Sequence, residues 1–249
     1  MTKLPSVLRK DIIIEAIFEV RFEPNLPNEA IFGAIYPIVN KKFKDMQHIP
    51  LPILQVPEVV RNSDIQFKYQ AFNRLQKDGF SISIGPRVVS FSVIKPYIGW
   101  SKWKPSILNI LNEISDGNII KIIEGTGLRY LNFIEKDIYP FINAEVKIIN
   151  TTVKPISTSI RTEIAEGDYI KILQLANNAS INERGQNKSG SLIDIDIVRN
   201  KKLSNSDFGI NIETILNKSH GMAKQLFFDI LKENFINELE PVYGEISNE

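Results

Sequence analysis

The chain has 249 residues, 43% of them hydrophobic, which is enough to bury the core of one large domain or two small ones. Its 30 basic and 29 acidic residues nearly cancel, so no overall charge favours binding to nucleic acid or to an anionic membrane. The absence of cysteine excludes disulfides, thiolate metal sites and cysteine nucleophiles. Charges recur too often for a membrane span and interrupt the N-terminus where a signal peptide would be apolar, so a cytoplasmic location is expected.

The first half of the chain, residues 1–150, predicts a strand, a helix, a hairpin, a second helix and a further strand. Residues 14–22 alternate between apolar and polar side chains, as in a half-buried strand. Apolar residues at helical spacing follow, although Pro37 is expected to kink or break that helix. The segments "FSISI" and "VVSFSVI" predict a hairpin. A helix over residues 102–115 and a strand over residues 119–135 complete this half.

The second half, residues 151–249, predicts a three-stranded meander and a long C-terminal helix. Alternating patterns place the strands at 156–164, 168–176 and 191–198. The polar segment 177–191 between the last two strands predicts an exposed loop. We therefore expect an α+β fold with antiparallel sheets, packed helices and two α+β halves.

The segment "GLRYLNFI" is a predicted buried strand that carries two polar residues, Arg129 and Asn132. Strand alternation puts these two side chains on opposite faces, so they are not expected to share a pocket. A half-buried guanidinium needs a carboxylate, and the first strand offers Glu15 and Glu19. We predict a structural ion pair between Arg129 and one of them, with Asn132 satisfying backbone groups of a loop.

Two acidic groupings are the candidate catalytic or metal-binding sites. Asp137, Glu145 and Lys147 imitate the arrangement in which two acids hold Mg²⁺ and a lysine orients water for phosphodiester cleavage. Such patterns also arise by chance in a chain with 29 acidic residues. Asp194 and Asp196 project from one face of a strand at a spacing that could share a divalent cation, or they simply form its solvated face.

Other established kinds of site are not indicated. Only two histidines are present, which, without cysteine, argues against a structural zinc site. One of them, His220, is expected to be an ordinary residue of the last helix. No nucleophile elbow or P-loop pattern occurs, and no cofactor is predicted.

The segment "KPYIGWSKWKP", residues 95–105, is the best candidate binding surface. It interleaves aromatic and basic residues, a mixture suited to base stacking and phosphate contacts. Alternatively, the two tryptophans lie one helical turn apart and anchor the helix on the sheet. The candidate residues are Lys95, Tyr97, Trp100, Lys102, Trp103 and Lys104.

Four blocks of the sequence carry a resemblance to a known family. They are "IIIEAIFEVRFEP", "IGPRVVSFSVIKPYIGWSKWKPSI", "GTGLRYLNFI" and "KSHGMAKQLFFDIL". Together they resemble a sporadically distributed, functionally uncharacterised bacterial and archaeal family of similar length. The resemblance implies an accessory or mobile locus, of the phage-defence or toxin–antitoxin type, and it implies no catalytic residues.

The sequence favours a non-enzymatic binding or accessory subunit over an enzyme. We expect a protein partner encoded by a neighbouring gene, and self-association into a homo-oligomer is compatible with the sequence. The alternatives are a metal-dependent nuclease or nucleotide-processing enzyme, and a nucleic-acid-binding protein that uses residues 95–104.

Overall fold

The computed structural model describes residues 4–149, 151–153, 157–183 and 185–244. Five α-helices lie in this part of the chain: α1 (Ala30–Lys42), α2 (Glu58–Ser63), α3 (Trp100–Asp116), α4 (Asn205–Ile230) and α5 (Glu233–Glu238). The strands are β1 (Val7–Leu8), β2 (Ile13–Pro24), β3 (Gln47–Pro50), β4 (Asn73–Lys77), β5 (Phe80–Gly85), β6 (Val88–Ile94), β7 (Ile120–Ile134), β8 (Val146–Ile148), β9 (Thr151–Val153), β10 (Thr158–Glu166), β11 (Tyr169–Glu183), β12 (Gln186–Arg199), β13 (Leu203–Ser204) and β14 (Pro241–Val242).

Ten of these strands form one antiparallel sheet, in the order β10-β11-β12-β7-β2-β6-β5-β4-β3, with β13 also paired to β7. The strand β7 lies between β2 from the first half of the chain and β12 from the second half. Both halves therefore contribute to the same sheet. Two short ladders, β1 with β14 and β8 with β9, lie outside it.

Helices α1, α3 and α4 cover one face of the sheet. Alternate residues of β2, from Ala16 to Phe22, are fully buried beneath them. The helical stripe of α3 is buried as its spacing predicts, from Trp103 to Ile114. No helix in the described ranges has the length and apolar character needed to span a membrane. The predicted α+β class, the antiparallel pairing and the long C-terminal helix are confirmed.

The helix α1 continues through Pro37, which was expected to kink or break it. Proline leaves the carbonyl of the residue four positions earlier without its helical donor. That residue is Gly33, which is exposed, so water can satisfy its carbonyl. Burial of Ile31, Ile35 and Val39 on the opposite face then stabilises the helix on both sides of the proline.

The predicted loop at 177–191 is wrong, because β11 and β12 continue through most of it as a hairpin. Pairing resumes at Ala179 with Gly190 and runs to Glu183 with Gln186, after a register shift that follows Ala176. Most side chains of this extension are exposed or only partly buried, which explains its polar sequence. Backbone pairing needs no apolar pattern, so periodicity could not reveal it.

Gly190→Ala is expected to destabilise the fold, because its Cβ would lie 2.2 Å from the Ile134 carbonyl oxygen and 2.9 Å from the Phe133 ring. We expect a loss of ~2 kcal/mol in the free energy of unfolding, measured by urea denaturation. Gly33→Ala is the control, since nothing lies within 4 Å of its Cβ and alanine favours helix. It should stabilise the protein by ~0.5–1 kcal/mol. Equal effects of the two substitutions would contradict this account.

Candidate functional site

A pocket of about 210 Å³ lies between the helix-covered face of the sheet and α4. Residues from five parts of the chain line it: the N-terminal segment, the start of α3, the strand β7, the strand β12, and α4. Its walls are mainly apolar and aromatic, with a few convergent polar groups, which is the usual composition of a ligand pocket. The polar and aromatic lining residues are Ser6, Asp11, Tyr97, Trp100, Tyr130, Asn132, His220, Lys224, Phe227 and Phe228.

One face of α4 supplies a continuous wall of this pocket. His220, Ala223, Lys224, Phe227 and Phe228 all line it. Their separations of three, four, seven and eight positions place them on one side of a helix. The face of a helix that packs against a core is normally apolar. This face of α4, however, contains an imidazole and an ammonium group.

The strand β7 supplies the floor through Tyr130 and Asn132. Tyr130 is paired with Ala16 and Ile195 on the helix-covered side, whereas Arg129 points to the other side, as alternation predicts. The Asn132 side-chain amide donates to the Ile193 carbonyl, 3.0 Å away, and more weakly to the Tyr130 carbonyl. Asn132 therefore satisfies backbone groups of strands rather than of a loop, which corrects the sequence-based expectation.

Five rings form an aromatic cluster at the inner end of the pocket. The indole of Trp100 stacks on the His220 imidazole, with ring centroids 4.2 Å apart and an angle of 7° between the planes. Tyr97 and Tyr130 meet edge to face at 6.1 Å. Trp103 is fully buried behind them and contacts the edges of neighbouring rings. Such contacts fix the orientation of every ring in the cluster.

The His220 imidazole is neutral at physiological pH. Burial lowers its pKa to about 4, with smaller contributions from Lys224 and Lys104. Its Nδ1 lies 3.0 Å from the Tyr130 hydroxyl. No described residue forms a hydrogen bond with Nε2.

The hydroxyl of Tyr97 is buried and interacts with the hydroxyl of Tyr130. Burial raises the pKa of Tyr97, so the group remains a neutral phenol.

Asp11 and Lys224 are the charged residues of the pocket. The Asp11 carboxylate accepts the backbone N–H of Ile13 at 3.0 Å, and burial raises its pKa. Lys224 forms no ion pair with any described residue, and burial lowers the pKa of its ammonium group. The carboxylate is therefore partly compensated by the protein, whereas the ammonium group is not.

The basic and aromatic residues of the segment 95–105 separate in the structure. Tyr97 and Trp100 line the pocket and Trp103 lies in the core, as the packing alternative predicted for the tryptophans. Lys95 pairs with Glu183 at 3.3 Å and Lys104 with Glu213 at 2.8 Å, while Lys102 is exposed. Two of the three lysines are therefore held in ion pairs, while the rings lie in the pocket and in the core.

Arg129 pairs with Asp194, rather than with Glu15 or Glu19 as predicted. Its Nε and Nη2 donate to the two carboxylate oxygens at 2.8 and 2.5 Å. Glu15 instead accepts a hydrogen bond from Ser92, and Glu19 pairs with Arg21. The carboxylate comes from β12 because β7 has two neighbouring strands, and the prediction considered only one of them.

The acidic candidates do not assemble into a metal site. Among the described residues no three His, Asp or Glu side chains are grouped to hold an ion. Glu145 and Lys147 pair with each other at the surface, and Asp137 accepts the backbone N–H of Tyr139. Asp194 is mostly buried rather than solvated. Burial raises the pKa of Asp196 to about 6.

No protein-family model matches the chain, and no curated protein matches it significantly. The interpretation of the pocket therefore depends on its own geometry. Sequence reasoning missed Asp11 and Lys224 and treated His220 as an ordinary helix residue. The one available signal was the spacing of His220 and Lys224, four positions apart on an otherwise apolar helix face.

Acidification should destabilise the folded state through His220. Its pKa is about 4 in the folded chain against 6.5 in the unfolded chain, so between these values only the unfolded state gains the proton. The free energy of unfolding should fall by up to ~3 kcal/mol as the pH is lowered from 6.5 to 4. The matched variant is His220→Gln, which keeps a polar group beside Tyr130 but does not titrate.

The comparison with His220→Gln is necessary because protonation of Asp196 changes the stability of the fold in the opposite direction. Its raised pKa of about 6 means that its protonation favours the folded state as the pH falls. This contribution is present in both proteins and cancels in their difference. Chemical denaturation from pH 7 to 4 should show wild type losing stability relative to His220→Gln. A difference that is independent of pH would contradict the assignment.

Proposed function

We propose that the protein is a non-enzymatic binding protein whose pocket holds a small, mainly apolar molecule with one anionic group. The observation that carries this proposal is Lys224, an ammonium group without a described ion-pair partner in an apolar and aromatic pocket. A half-buried cation is stabilised when a ligand supplies the missing anion. The apolar walls account for the rest of the ligand.

Binding is favoured over catalysis by the chemistry of the lining. A pKa of about 4 makes His220 a poor base at neutral pH. Ser6 is the one serine among the described lining residues. Its hydroxyl donates to backbone carbonyls of the C-terminal segment. No pair of nucleophile and base is therefore formed among the described lining residues.

The resemblance noted in the sequence supports the choice of this site. All four of its blocks, although far apart in the chain, contribute to one pocket. The first supplies Ile12 and Ile13, and the other three supply Tyr97, Trp100, Tyr130, Asn132 and His220. The proposal includes a role as an accessory subunit, with a protein partner, in a phage-defence or mobile-element system. That part rests on the resemblance alone.

Octanoate and octanol form a matched pair of probes, because they differ in charge at the head group. The chain has two tryptophans, Trp100 in the pocket and Trp103 beside it, so intrinsic fluorescence reports occupancy directly. Octanoate should bind more tightly than octanol. Lys224→Met should weaken octanoate binding ~10-fold and leave octanol binding unchanged, since only the carboxylate uses the ammonium group.

Lys102→Met is the control, because it removes an exposed lysine of the same charge from α3. It should leave both affinities unchanged. If neither probe alters the fluorescence, the pocket does not bind such molecules. Equal losses in the two lysine variants would show a general charge effect and contradict the assigned role of Lys224.

A further inference from the structure

The strand β10 is a nine-residue edge of the central sheet. Its nine residues pair in continuous register with β11, from Thr158 with Asn177 to Glu166 with Tyr169. No other strand in the described ranges pairs with its outer side. Side chains from Arg161 to Glu166 are exposed on both faces of the sheet. Its outer backbone groups are thus available to another strand.

The opposite edge of the sheet is protected in the usual ways. The strand β3 has four residues, ends at Pro50 and continues into a proline-containing turn. Short length and proline both prevent the addition of a further strand. By contrast, β10 has nine residues and no proline. The two edges therefore differ in length and in proline content.

We propose that β10 pairs with β10 of a second copy of this chain, antiparallel and centred on Thr162. In this register Arg161 lies opposite Glu163 of the second copy, and Ile160 lies opposite Ile164. The two-fold symmetry of a homodimer repeats each contact. The partially exposed Ile164, at 42%, would be covered by an apolar neighbour.

The charges of β10 select this register over its neighbours. A shift of the centre by one residue in either direction would place Arg161 opposite Arg161, or Glu163 opposite Glu163. Like charges directly opposite are destabilising in an antiparallel pair. Within one chain, Arg161 and Glu163 already pair with each other, so both side chains lie on the same face and at the same edge. The strand is therefore complementary to itself in one register.

The test is a charge exchange followed by sedimentation equilibrium. Wild type should dimerise, whereas Arg161→Glu and Glu163→Arg should each raise the dimer dissociation constant at least ~10-fold. The double variant Arg161→Glu/Glu163→Arg should dimerise like wild type, because the complementarity is restored. A mixture of the two single variants should form a heterodimer, since each then supplies the charge that the other lacks. Circular dichroism of each variant shows whether the monomer remains folded.

The register is tested by cysteine crosslinking in a chain that has no other thiol. Thr162→Cys should form a disulfide-linked dimer under mild oxidation, because the two copies of residue 162 lie opposite each other. Ser159→Cys is the control, since in this register its two copies lie ~20 Å apart along the strand. Wild type that stays monomeric at ~100 µM, dimers unaffected by the charge variants, or equal crosslinking of both cysteines would overturn the proposal.

Discussion

The pairing of β7 with β2 on one side and β12 on the other is the interaction on which the rest of the structure depends. Through it, strands from both halves of the chain enter one sheet. The side chains of β7 alternate between the two faces of the sheet, so this one strand contributes to two different surfaces. Tyr130 and Asn132 face the helices and the pocket, whereas Arg129 faces the uncovered side. A shift of one residue in this pairing would exchange the two sets of side chains and remove both surfaces.

The polar groups on the two sides of β7 are paired to different degrees. On the uncovered side, Arg129 holds Asp194 through two hydrogen bonds, and Asp196 lies directly across from Arg129 in the ladder. Each charge there has an opposite charge nearby, as a half-buried network requires. On the helix-covered side, Lys224 has no described counter-ion. The charges of the first side are paired among the described residues, whereas the ammonium group of the second is not.

Periodicity predicted most of the secondary structure, because burial of one face imposes a repeat of two or 3.6 residues. The strand β2 and the buried stripe of α3 are examples. The extension of β11 and β12 could not be predicted in this way, since its side chains face no core. The partner of Arg129 depended on which strand lies on each side of β7, and that order is a property of the whole sheet. The pocket could not be predicted for the same reason, because its lining residues run from Pro5 to Phe228.

The proposed binding role accounts for a pocket composition that stability alone does not favour. A leucine at position 224 would suit the apolar surroundings without leaving an unpaired charge. Burial lowers the pKa of His220, at a position where an apolar ring could stack on Trp100 equally well. Two polar groups that each cost stability, Lys224 and His220, therefore converge on one pocket. Local departures of this kind from the most stable choice are expected where a protein contacts a ligand. The ion pair of Arg129 needs no such explanation, because the neighbouring strand already satisfies it.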